Sequence, residues 1–195
     1  MIDYGPDTAL IVVDVQNDFA DPTGSLYVRE GEQVVPIANR EIELAAAAGS
    51  PVFYTQDWHP PDTPHFQRDG GIWPVHCVRE TWGAQFHPDL KVMGEVVRKG
   101  AKGEDGYSGF CVRDPVSGEA AETVLGARLR ALGIRSLAVL GLAGDYCVGA
   151  TAKDGHELGW PVSVLRKGVR FVELNPGDEA RTWRELAAAG VEVVG

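Results

Sequence analysis

Residues 8–14 read TALIVVD and residues 136–142 read SLAVLGL. Both are unbroken apolar runs of strand length, without the apolar–polar alternation of a strand that has one wet face. Runs of this kind belong to parallel strands covered by helices on both sides. Residues 51–57 (PVFYTQD) and 92–99 predict a second and a third strand, and residues 162–165 and 191–194 predict the last two. Between them lie helical patterns. Residues 33–48 place Val34, Ile37, Ala38, Ile42 and Ala45 on one face, with Pro36 in the first turn and Gly49 as the stop. Residues 119–132 put Leu125, Leu129 and Leu132 together ahead of Gly133, and a further helix is expected over residues 147–158. Asn175-Pro176 should open the last helix, Asn as cap and Pro at the first helical position.

Strands separated by helices give right-handed βαβ crossovers. The predicted fold is therefore α/β: a doubly wound, mostly parallel six-stranded sheet with helices on both faces, of the three-layer Rossmann type. No repeat, linker or low-complexity tract divides the chain, so one domain over residues 1–195 is expected.

Composition narrows the partners. Of 195 residues, 44% are hydrophobic and 24% charged, which suits a packed globular core. Eighteen Lys plus Arg stand against 28 Asp plus Glu, a formal charge of −10. That balance argues against nucleic acid and anionic membranes, which need a cationic footprint. No apolar run approaches the ~20 residues of a membrane span. The first fifteen residues show no basic n-region, so a cytoplasmic protein is expected. Three widely spaced cysteines make no disulfide framework. Monomer and homo-oligomer both stay open.

Ligands of open α/β sheets bind outside the carboxyl ends of the strands. The residues expected there are Asp14, Asp57, Lys99 and the run 141–147 that ends in Cys147. A cysteine just past a strand, at the start of a helix, meets free backbone N–H groups that favour a thiolate and can cradle an oxyanion. A lone cysteine is ordinarily structural, and Cys77 and Cys111 are left so. An acid and a lysine beside Cys147 point to a nucleophile instead. Asp14 ends an apolar strand, where a carboxylate needs a partner or a task. Burial could raise its proton affinity enough to accept the thiol proton. Asp18 is assigned a structural role. Lys99 is expected to hold both groups anionic and pull the thiol pKa down, although Arg98 and Lys102 are close enough to compete for the assignment.

Residues 58–91 form a long polar, aromatic loop, and loops of that length in compact domains are usually functional. Its DWHPPDTPHF and WPVHC segments, with the end of the strand before them, supply Asp57, His59, His65 and His76. One carboxylate and up to three imidazoles suit a single divalent transition metal ion, with waters completing the shell and Zn, Fe and Mn equally compatible. His87 and His156 stand outside this cluster, and Asp62 fits a turn between prolines.

The motifs ALIVVDVQNDF (9–19), YTQDWHP (54–60), WPVHCV (73–78), a lysine before GYSGF (106–110), and GLAGDYCV (141–148) occur in this order. Together they resemble the nicotinamidase/pyrazinamidase family of isochorismatase-like cysteine hydrolases, over nearly the whole chain. The resemblance implies a triad of Asp14, Lys99 and Cys147 and a metal held by Asp57, His59, His65 and His76. It also implies a non-proline cis peptide at Leu142–Ala143, which aims the Ala143 N–H, with that of Cys147, at an oxyanion. Phe19, Trp73 and Tyr107 would enclose a pyridine ring. The implied reaction is hydrolysis of nicotinamide to nicotinate and ammonia through a thioester, with pyrazinamide as a second substrate. Tyr146 and the loop after Lys99 depart from the family pattern. The alternatives are a superfamily hydrolase of a carbamoyl or ureido compound, whose members generally lack the histidines, and a non-catalytic α/β binding module.

Overall fold

The strand Thr8–Val13 is buried along its whole length because its side chains alternate between two cores. Ala9, Ile11 and Val13 join one core, while Leu10 and Val12 join the other. The computed structural model describes residues 2–195. In chain order its elements are β1 (Thr8–Val13), α1 (Asn17–Ala20), α2 (Val34–Ala47), β2 (Val52–Asp57), β3 (Glu95–Lys99), β4 (Cys111–Arg113) and β5 (Ala120–Glu122). They continue with α3 (Leu125–Ala131), β6 (Ser136–Leu142), α4 (Gly149–Glu157), β7 (Val162–Arg170), α5 (Asp178–Ala188) and β8 (Glu192–Val194).

Six strands form a parallel sheet in the order β3-β2-β1-β6-β7-β8. The buried face of α2 (Val34, Val35, Ala38, Ile42, Ala45) packs against Leu10, Val12, Tyr54 and Leu140. On the opposite face, Leu125 and Leu129 of α3, Ala152 of α4, and Trp183 and Leu186 of α5 cover Ile11, Phe53 and Val139. Strand order runs outward from β1 to β3 and then returns to β6 beside β1. The crevice of such a sheet opens where the order reverses, here past the ends of β1 and β6. Among the described residues, no helix is long and apolar enough to cross a membrane.

Four expectations need correction. Residues 119–132 are not one helix: Ala120–Glu122 pairs antiparallel with Cys111–Arg113, and α3 begins only at Leu125. The turn between those strands is closed by Asp114, whose Oδ1 accepts the N–H groups of Val116 and Ser117. Thr123 Oγ1 then donates to the Gly109 carbonyl and accepts from Leu125 N–H, so the local hydrogen bonds override the helix propensity of Ala and Glu. Leu132 consequently falls past the helix and is 52% exposed. α4 starts at Gly149, because residues 144–148 make a wider π turn. α5 starts after a left-handed Gly177, and Asp178 accepts the N–H of Asn175 rather than Asn175 capping the helix. β7 runs on to Arg170 through a register shift opposite Val139 and Gly141, with Arg166 and Lys167 turned to solvent.

The 58–91 segment contains a single 3-10 turn (Gln67–Asp69) and is held by backbone pairs instead. His59 N–H donates to the Cys77 carbonyl and Arg79 N–H donates to the His59 carbonyl, which folds the loop back on itself.

Candidate active site

At the end of β1 the chain turns through Asp14, whose φ of +48° lies in the left-handed region seldom used by non-glycine residues. Its carboxylate is fully buried, and Thr55 Oγ1 donates to Oδ1 at 2.7 Å. Lys99 and Asp57 end neighbouring strands and are direct partners in the β2–β3 ladder. Lys99 Nζ lies 2.7 Å from Asp14 Oδ2 and 3.6 Å from Cys147 Sγ. It also donates to Asp57 Oδ1 and to the Gly106 carbonyl. A carboxylate oxygen of Asp14, one of Asp57, and Cys147 Sγ all lie within 4.8 Å of one another. Lys102 is exposed and Arg98 sits 4.0 Å over the Trp58 ring, so Lys99 is the lysine at this cluster.

The electrostatics correct one expectation. Burial pushes the Cys147 thiol well above its ordinary range; Lys99 pulls the other way, and Asp14 and Asp57 add to the rise. The resting sulfur therefore keeps its proton. Burial also raises Asp14 to about 6, against the pull of Lys99 and with the help of Asp57. Burial disfavours the Lys99 ammonium, but Asp14, Asp57 and Cys147 outweigh it and raise its pKa. At neutral pH the cluster holds a thiol beside an ionised carboxylate, bridged by an ammonium.

Cys147 sits in the π turn Gly144–Val148 that joins β6 to α4. The Leu142–Ala143 peptide is cis. Val148 N–H donates to the Ala143 carbonyl at 3.0 Å, and this wide turn brings Gly149 against Gly144. A Cβ on Gly149 would stand 2.7 Å from the Gly144 carbonyl oxygen, which is why a glycine is needed there. Cys77 is buried, Cys111 donates to Asp154 at 3.2 Å, and the Asp18 carboxylate accepts the N–H groups of Ser25 and Cys77. Asp62 is exposed and pairs with Arg68 at 2.8 Å.

Beside the thiol, one ring nitrogen each from His59, His65 and His76 lie within 4.8 Å of one another, and all three side chains are buried. Both nitrogens of His59 lack a hydrogen-bond partner, although the residue is 0% exposed. Orphaned buried nitrogens are costly unless they have a ligand. His59 Nε2 lies 3.8 Å from Asp57 Oδ2. His65 Nδ1 meets Asp105 Oδ1 at 2.5 Å and His76 Nδ1 meets the Pro74 carbonyl at 2.8 Å, leaving Nε2 of each ring for another contact. Burial lowers the pKa of His76 to about 4 and also lowers that of His65, so both rings are neutral. Neutral imidazoles with a carboxylate alongside fit a divalent metal ion. Gly100 makes room for them: it has φ +70°, and a Cβ there would stand 2.5 Å from His59 Cε1.

Cys147 and Asp57 of the first cluster and His65 and His76 of the second line one cleft of about 400 Å³, including its open mouth. Phe19, Trp73, Tyr107 and Tyr146 line it, with Ala143, Cys147, His65 and His76 among its polar and backbone surfaces. Trp73 stands edge-on to Tyr146, their ring centroids 4.7 Å apart, and its Nε1–H donates to the Tyr107 hydroxyl at 2.8 Å. Burial raises the Tyr107 pKa to about 12, so this hydroxyl keeps its proton. Asp105, Thr55, Leu26 and Val172 were not singled out from the sequence. Gln16 belonged to a quoted motif without a role: its amide brackets Asp57, accepting the N–H at 2.8 Å and donating to the carbonyl at 2.8 Å.

A thiol, an ionised carboxylate and an ammonium at the switch point of a parallel sheet, with two imidazoles lining the same cleft as the thiol, are suited to nucleophilic hydrolysis. The chain belongs to the isochorismatase domain family, whose model matches residues 8–195. It is 38% identical to the nicotinamidase of Escherichia coli K12, over 95% of this chain and 93% of that protein. Pyrazinamidase of Pyrococcus horikoshii in complex with zinc has a TM-score of 0.86 at 37% identity, covering 97% of this chain and 99% of that one. PnC1 from L. infantum in complex with nicotinate has a TM-score of 0.88 at 32% identity, covering 99% and 95%.

Proposed function

We propose that this chain is a metal-dependent nicotinamidase: nicotinamide and water give nicotinate and ammonia, and pyrazinamide is a second substrate. The observation that carries the reading is a cleft lined by Cys147, with the buried Asp14 carboxylate next to its sulfur, and by His65 and His76, which cluster with His59. Nicotinamide likewise has two handles, a carboxamide carbon for the thiol and a basic ring nitrogen for an electrophile.

In the first half-reaction Asp14 accepts the Cys147 proton as Sγ bonds to the carboxamide carbon. Waiting for substrate before this transfer is consistent with the raised thiol pKa. The N–H groups of Ala143 and Cys147 are assigned to the developing oxyanion, with Leu142 and Ala143 forming the cis peptide. Asp14 returns the proton to nitrogen, the C–N bond breaks and ammonia leaves a thioester. In the second half-reaction Asp14 takes a proton from water as oxygen bonds to the acyl carbon. The C–S bond then breaks, and sulfur regains the proton as nicotinate leaves. Lys99 holds Asp14 in place and balances the buried negative charge. Phe19, Trp73 and Tyr107 sandwich the pyridine ring and exclude water.

The residues that would hold the metal are His59, His65, His76 and Asp57. When bound, such an ion supplies a Lewis acid that docks the ring nitrogen and so orients the amide. Zinc is the first ion to test, since the relative from Pyrococcus horikoshii carries it. The three histidines also weigh against a carbamoyl or ureido substrate, which has no ring nitrogen for them to serve.

The test is ammonia release from nicotinamide by purified protein, before and after chelation, with zinc, iron or manganese restored. Turnover lost on chelation and regained with one of these ions is expected. Turnover of a ureido acid but not of nicotinamide would overturn the reading.

A further inference from the structure

Of the three imidazoles, His65 is the one whose Nδ1 meets a carboxylate side chain, that of Asp105, at 2.5 Å. Asp105 lies two residues before Tyr107, in the loop after Lys99. We propose that Asp105 is a positioning residue for the metal centre: it holds the proton on His65 Nδ1 and turns Nε2 toward the ion. This rests on the metal reading of His59, His65 and His76.

Three features support the assignment. The Asp105 backbone is anchored without help from its side chain, since its N–H donates to the Arg113 carbonyl at 2.7 Å and its carbonyl accepts from Arg113 N–H at 2.9 Å. Among the described residues, the one hydrogen bond of its side chain is the bond to His65. That side chain is therefore not needed to fold the loop, and its partner is a cleft residue. The second feature is the setting of His65, whose ring stacks on His59 with centroids 4.6 Å apart and planes at 17°, and tilts against His76 at 5.3 Å. These neighbours fix where the ring lies but not which nitrogen bears the proton. A carboxylate accepts only, so it selects the Nδ1–H tautomer and leaves the Nε2 lone pair free. Lastly, the neighbouring acid, Glu104, turns its carboxylate to the Lys102 N–H at 2.8 Å, so of these two loop acids Asp105 is the one that meets the cluster.

A carboxylate behind a metal-bound imidazole also increases the basicity of the ligand, and loss of such partners commonly costs about 10–100-fold in metal affinity. The small β4–β5 hairpin acquires a function on this account, because its Arg113 holds the backbone that carries Asp105.

The experiment measures zinc affinity of the metal-free full chain by competition with a chromophoric chelator, alongside thermal unfolding without metal. Wild type, Asp105→Ala, Asp105→Asn and Glu104→Ala are compared. Asp105→Ala should bind zinc about 10–100-fold more weakly, with unchanged melting of the metal-free protein. Asp105→Asn retains an oxygen acceptor and should fall between, while Glu104→Ala should match wild type. If Asp105→Ala melts early without metal, Asp105→Asn decides: weaker zinc binding at unchanged melting supports the assignment, and unchanged binding overturns it. Zinc affinity of a well-folded Asp105→Ala within about twofold of wild type also overturns it. Failure of wild type itself to bind an ion overturns the metal reading and this assignment with it, whereas tight binding by all four proteins removes only the role of Asp105.

Discussion

Lys99 Nζ lies 2.7 Å from Asp14 Oδ2, and both side chains are sealed from water. Neither group can be screened by solvent, so the proton affinity of Asp14 is set by its neighbours inside the protein. Burial raises it to about 6 even with the ammonium in contact. Asp14 must be ionised to accept the thiol proton. Activity is therefore present above this pKa and is lost as pH falls through it. kcat/KM for nicotinamide should rise along an acid limb centred near pH 6, and Asp14→Asn should lower turnover by about 10²–10⁴. A pH profile of both proteins checks this; a wild-type profile flat through that region would contradict it.

The imidazole side of the cleft predicts dependence on the ring nitrogen. Pyrazinamide keeps a nitrogen in the same relation to the carboxamide, whereas benzamide has carbon there. Benzamide should be turned over about tenfold more slowly or worse at subsaturating concentration, a difference of ~1.4 kcal/mol or more in transition-state binding. Steady-state ammonia release from the three amides measures it. Equal kcat/KM for benzamide and nicotinamide would remove the docking role.

Gly100 supplies a structural test of the metal centre that replaces none of the residues that would hold the ion. A methyl group at this position would stand 2.5 Å from His59 Cε1, on a backbone with φ +70°. Gly100→Ala should cost about 1–3 kcal/mol of stability from the strained backbone and should also weaken zinc binding by displacing the His59 ring. Thermal unfolding and chelator competition read the two effects separately. Unchanged zinc affinity would mean that His59 is not held where a ligand must be.

The sheet was legible because β1 and β6 are apolar from their second residue onward, over residues 9–13 and 137–142, a pattern required by helices on both faces. The ends of those strands then gave the positions of Asp14 and Cys147. The β4–β5 hairpin was not legible: Ala120, Ala121 and Glu122 favour a helix, and the competing hydrogen bonds come from Asp114 and Thr123. The full length of β7 is not legible in the sequence: Arg166 and Lys167 are polar, yet they stand on an exposed irregular stretch between two paired parts of one strand. Within the site, proximity of Lys99 to Cys147 could be inferred from topology, whereas the direction of the thiol shift depends on complete burial, which no residue count reveals. Asp105 reaches His65 only through the closure of its loop on Arg113, a contact with no periodic signature.

The covalent role of Cys147 is tested most directly by ammonia release from nicotinamide by Cys147→Ala, with its metal content matched to wild type. The buried methyl group cannot form a thioester, so the account predicts a fall of at least about 10⁴-fold, toward the uncatalysed rate. Turnover within tenfold of wild type would mean that water attacks the amide directly, and would contradict the account.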